Sequence, residues 1–240
     1  MQTTEEKEIT LPLHNWEAIK RLEWEKDCLS RGSATFWFAV FATGVFFSPL
    51  WVLMGLVYKP MIRVTKLARI VKVMRPLLEE FEEQGIQIFP CLKVPEHEPL
   101  DFYIRFPEAQ LLVSIRSMKD AEVVYNEKTE HLYSRKNKKK GGLRKWLPCP
   151  LVELSDYQAW LYKNRQLFGL TSKQVQKFPL AKVLVLWNTT TIQEHRKELY
   201  TSIGSLELLA LKRKGTAFVI QEDNIVHFVK AYLEQYKQKN

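Results

Sequence analysis

The sequence has no CxxC pair, because its three cysteines, Cys28, Cys91 and Cys149, are scattered. That excludes a disulfide framework and a zinc knuckle as organising devices, and it fits a reducing compartment. No GxSxG and no HExxH occurs, so neither a nucleophile elbow nor a zincin helix is available. The only Gly-Gly pair, Gly141 and Gly142, lies inside a basic run, which leaves no glycine loop to cradle a phosphate. The five histidines are isolated. His97, between Glu96 and Glu98, reads as an exposed loop histidine, and Cys149 stands between Pro148 and Pro150 with no histidine nearby in sequence. No internal repeat is present.

What dominates instead is residues 33–58, SATFWFAVFATGVFFSPLWVLMGLVY, with no charge between Arg31 and Lys59. A spanning helix needs about 20 mainly apolar residues, and every face of this run is apolar. The expectation is one transmembrane helix, kinked or tilted at Pro49, with a shallow re-entrant hairpin as the alternative. Before it, residues 1–32 form an amphipathic N-terminal segment with Trp16, Ile19, Leu22 and Trp24 among charges. After it, residues 59–84 form a juxtamembrane helix, basic in its first half and interrupted at Pro76. Six Lys or Arg without an acid follow the run over residues 59–78, so the positive-inside rule places the C-terminal domain in the cytoplasm of a single-pass membrane protein. The net charge of +9 points to an anionic partner, either nucleic acid or the anionic face of a membrane.

Residues 85–240 read as one α/β domain. Short strand-type runs at residues 86–89 and 92–94 precede three meander strands near residues 100–106, 111–115 and 121–125. Ser155 is read as the cap of a helix ending at Gly169. The run KVLVLW at residues 182–187 has the continuous apolar character of a strand covered on both faces. A helix is expected near residues 193–200, a buried strand at 216–220, and a last amphipathic helix carrying Ile225, Phe228, Val229 and Tyr232.

The stretch LDFYIRFPEAQLLVSIRSMKDAEVVYNE resembles the core of the nuclease-related domain (NERD) family, within the restriction-endonuclease-like PD-(D/E)XK group. The resemblance implies a mixed sheet flanked by helices, with a helical Glu, a strand bearing Asp, and a following strand bearing Glu-x-Lys. Asp101 matches the Asp position. Ser114 and Arg116 stand where Glu and Lys belong, Glu79 or Glu80 lies on the preceding helix, and residues 121–125 match the strand after Glu-x-Lys. Such a nuclease uses paired carboxylates to hold Mg²⁺, which polarises the phosphate and acidifies a water. A serine hydroxyl is a poor sole partner for the ion, and Arg116 keeps its proton and is a fixed cation beside the site. The expectation is therefore a degenerate site with no metal, no cofactor and no hydrolysis, in which Asp101 pairs with Arg116. The alternative is an active Mg²⁺-dependent nuclease using Asp101 with a displaced acid, namely Glu108, Asp120 or Glu122.

Residues 134–145, SRKNKKKGGLRK, read as a mobile loop. Arg135, Lys136, Lys138, Lys139, Lys140, Arg144 and Lys145 are its candidate contacts to nucleic-acid phosphates or to anionic lipid. Tyr133 and Trp146 flank it and are candidates to stack on bases. The leading reading is a membrane-anchored, non-catalytic domain that binds nucleic acid. The lipid reading makes it a structural protein of the membrane surface.

Overall fold

The computed structural model describes residues 11–42, 50–136 and 142–237, with side chains outside 36–57 and 237. Two compact units emerge. One is His14–Glu82; the other is Glu83–Asn240 with Met1–Leu13.

The first unit is a pair of antiparallel helices, α1 (Asn15–Ala42) and α2 (Leu50–Phe81). Their sense is fixed by polar contacts between distant residues. Trp16 Nε1 donates to Glu82 Oε1 at 3.0 Å, Arg75 to Glu23 at 2.8 Å and Arg63 to Glu25 at 2.9 Å. Leu67, Ile70, Met74, Leu77 and Phe81 of α2 are buried at alternating three- and four-residue spacing, the stripe of an amphipathic helix. Trp24 is exposed.

This arrangement corrects the transmembrane expectation. The charge-free run is shared between two helices: residues 33–42 end α1 and residues 50–58 begin α2. Each holds about half of the roughly 20 apolar residues that a span requires, and each helix continues into charged sequence. Among the described residues no helix is long and apolar enough to cross a membrane. Pro49, the expected kink, lies outside the described residues. Nor is there an interruption at Pro76, since α2 runs through both Pro60 and Pro76.

The second unit is mixed α/β. Its main sheet has seven strands: β1 (Gln87–Leu92), β2 (Leu100–Arg105), β3 (Gln110–Arg116), β7 (Leu180–Leu186), β9 (Tyr200–Ile203), β10 (Leu206–Lys212) and β11 (Thr216–Gln221). Their spatial order is β1-β2-β3-β7-β11-β10-β9. β3, β7 and β11 are parallel, and antiparallel pairs close both sides. Pro90 sits in β1, at the sheet edge, where its missing N–H costs no ladder bond. A second sheet of four strands, β4 (Ala121–Asn126), β5 (His131–Lys136), β6 (Arg144–Lys145) and β8 (Thr191–Ile192), runs β6-β5-β4-β8. β4 therefore leaves the meander it was expected to continue.

Helix α3 (Pro150–Lys163) packs Leu151, Leu154, Tyr157 and Leu161 into the core that holds Tyr103, Leu112, Leu184 and Leu186 of the main sheet. It starts at Pro150, with Cys149 at the N-cap position, earlier than the Ser155 cap implied. Ser155 lies within the helix and donates to Leu151 O. Helix α4 (Ser172–Lys177) carries a capping box from Thr171 and Gln174. Helix α5 (Ile225–Lys237) buries Ile225, Phe228, Val229 and Tyr232, with the Phe228 ring 5.5 Å from that of Phe218. β2 and β7 are buried almost throughout, as strands covered on both faces must be. The helix expected near residues 193–200 is a three-residue turn, Lys197–Leu199, leading into β9.

Candidate functional site

The register of β2 with β3 pairs Phe102 with Val113. One step further, Asp101 and Ser114 are cross-strand neighbours on one face, the face that Leu112 and Tyr103 turn toward α3. Alternation along β3 places Arg116 on that face too. The backbone thus gathers three of the residues singled out from sequence.

Asp101 is 1 % exposed. Its Oδ2 accepts the backbone N–H of Ile115 at 2.7 Å and Arg116 Nη1 at 3.4 Å. The opposite side of the guanidinium is taken by an acid not anticipated: Arg116 Nη2 donates to Glu153 Oε2 at 3.0 Å. Glu153 is 4 % exposed and lies in the first turn of α3, where the helix field favours an anion. Arg116 thus bridges two buried carboxylates. Burial alone would lower its pKa, but the charges of Asp101 and Glu153 and the bond to Glu153 outweigh that and drive the pKa upward. Tyr157, one turn along α3, donates its phenol to Glu98 O at 2.9 Å and stands edge-on to the His97 ring. Burial, then the charge of Glu153, push its pKa up to about 12, with Arg116 opposing.

Ser114 is buried, and its Oγ has no hydrogen-bond partner among the described residues. Glu79 and Glu80 are exposed on α2, in the other unit. The displaced acids do not gather at the site either. Glu108 and Asp120 are exposed, and Glu122 is bound to Arg135 at 3.2 and 2.5 Å. Among the described residues no cluster of three or more His, Cys, Asp or Glu has the arrangement of a metal site. The donor set beside Asp101 does not suit a divalent cation, because a guanidinium bonded to both acids already supplies the positive charge.

The basic segment is a hairpin at the rim of the second sheet. Tyr133 pairs with Lys145 and Ser134 with Arg144. Lys136, Arg144 and Lys145 are exposed, whereas Arg135 is held by Glu122. Lys138, Lys139 and Lys140 lie outside the described residues. Trp146 is 6 % exposed, part of the core, and its backbone N–H donates to Leu132 O. That removes it as a stacking platform for bases.

Glu153 escaped sequence reasoning because 37 residues separate it from Arg116; the available signal was an acid in a helix's first turn just after Pro150. Lys182 also went unnoticed, as the polar first letter of an apolar strand. No protein-family model, curated protein or solved structure matches this chain.

Proposed function

We propose that Glu83–Asn240 is a nuclease-like domain whose cation position is filled by its own arginine, and that it binds nucleic acid without cleaving it. The observation that carries this reading is Arg116 bridging Asp101 and Glu153 where paired acids would otherwise hold Mg²⁺. The reading is supported by Asp101 on β2 standing beside Ser114 and Arg116 on β3, with β7 and β11 as parallel strands further along the sheet. The departure of β4 into a second sheet is a difference from the pattern that the resemblance implies. Lys136, Arg144 and Lys145 form an exposed basic edge, and the chain carries +9 overall. Such an edge favours sequence-blind contact with phosphates.

Anisotropy titration of labelled DNA and RNA oligonucleotides with the full chain is the test. Binding that weakens steeply with salt, and weakens again on replacing Lys136, Arg144 and Lys145 with Gln, is expected. No binding at low salt would overturn the reading.

A second reading, docking on an anionic lipid surface, is favoured by one observation. Tyr58, Met61 and Ile62 are 66 %, 53 % and 51 % exposed on α2, beside exposed Lys59. Apolar and aromatic groups next to cations suit a headgroup layer. Phosphatidylserine vesicles added to the same titration separate the two: competition for the Lys136, Arg144 and Lys145 edge leaves nucleic acid as one of two ligands, and vesicle binding without any oligonucleotide binding supports lipid alone.

A further inference from the structure

Lys182 is a cation buried in the main sheet, 5 % exposed and paired in register with Leu112 of β3. Its Nζ donates to Ser155 Oγ at 3.1 Å and to Lys214 O at 2.9 Å. Both acceptors are neutral, and among the described residues no carboxylate forms an ion pair with it. Burial lowers its pKa from 10.5. A buried ammonium without a counter-charge is costly, so the site is electrostatically incomplete as it stands.

Lys182 borders an open cavity of about 400 Å³ at the end of the sheet where β7 and β11 begin. Gln158, Thr201, Ser202, Lys214 and Thr216, residues that carry amide, hydroxyl and ammonium groups, line its wall, and the Lys214 ammonium stands 3.6 Å from Asp156. Gly215 lines it too, with φ +101°, and a Cβ there would stand 2.7 Å from Lys182 Nζ. Any larger residue would intrude between the ammonium and the cavity. The volume is in the range of small-ligand sites, and the donor set matches an oxyanion: a fixed cation, several hydroxyls and an amide.

We propose that this cavity binds the phosphate of a small phosphomonoester, whose negative charge completes Lys182. The site is independent of the nucleic-acid reading, since it shares no residue with the Asp101 group or with the basic hairpin.

The probes are inorganic phosphate and a nucleoside monophosphate, added to the full chain against chloride at matched ionic strength. Two measurements serve. In the first, either probe raises the melting temperature of the wild type, and its affinity falls about tenfold or more in Lys182→Met, whose unliganded fold is checked by circular dichroism. In the second, which needs no variant, wild-type protein is pulsed with acetic anhydride and Lys182 acetylation is read by mass spectrometry. Phosphate is expected to protect Lys182 while exposed lysines away from the cavity, such as Lys128 and Lys173, stay labelled. A nucleoside monophosphate binding more tightly than inorganic phosphate identifies an ester; equal affinities identify the free ion, against the ester proposed. Lys182 labelling indifferent to both probes at millimolar concentration, with no shift in melting temperature, overturns the proposal.

Discussion

Arg116, half-buried, and Lys182, buried, are two cations of one sheet, one strand apart, and they are satisfied in opposite ways. Arg116 lies between Asp101 and Glu153, with both acids bonded to its guanidinium. Among the described residues, Lys182 bonds a hydroxyl and a carbonyl. The guanidinium is a planar fork that engages two carboxylates at once, whereas the ammonium is a point charge whose pKa yields to burial. One cluster is closed and holds β2, β3 and α3 together. The other is open on a cavity and has no counter-charge among the described residues. Burial of a basic residue therefore does not by itself mark a structural pair or a ligand site; the charge of its partners decides.

The comparison breaks most visibly on deletion. Arg116→Met leaves two buried acids without their cation and is expected to cost about 3–5 kcal/mol of stability, read as a lower midpoint in urea. Lys182→Met removes a charge that has no counter-charge, and it is expected to cost about 1 kcal/mol or less, the value of an ordinary hydrogen bond. Equal losses for the two variants would erase the distinction drawn here.

A smaller effect sharpens the Arg116 side. The folded pKa of Tyr157 is raised from 10.0 to about 12 by burial and by Glu153. The folded state thus prefers the neutral phenol. The stability this contributes is fully present below pH 10 and is lost as pH rises toward about 12. Tyr103 and Tyr232 are also raised, so the measurement is the difference between wild type and Tyr157→Phe. That difference should be constant below pH 10 and shrink above it.

The strands that position the site were legible in the sequence because their burial is continuous. The runs at residues 100–106 and 111–115 read as meander strands and KVLVLW at 182–187 as a covered strand, and the Asp101–Arg116 pair was expected across the hairpin that carries the resemblance. Local signals failed where distant partners decide. β9 exists because β10 pairs with it, and nothing within residues 193–203 announces that. The charge-free run was long enough for a span by composition. What divides it into two helices is pairing between α1 and α2 residues 38 to 66 positions apart. Glu153 and the neutral partners of Lys182 are likewise contributed by segments remote in sequence, so spacing rules could not reach them.

The most direct test of the closed cation cluster is titration of the full chain with Mn²⁺, followed by heat release and by the state of a supercoiled plasmid in the same solution. An arginine already bonded to both acids predicts no saturable Mn²⁺ site dependent on Asp101 and no nicking of the plasmid. A stoichiometric Mn²⁺ site that Asp101→Asn abolishes, together with plasmid cleavage, would contradict it.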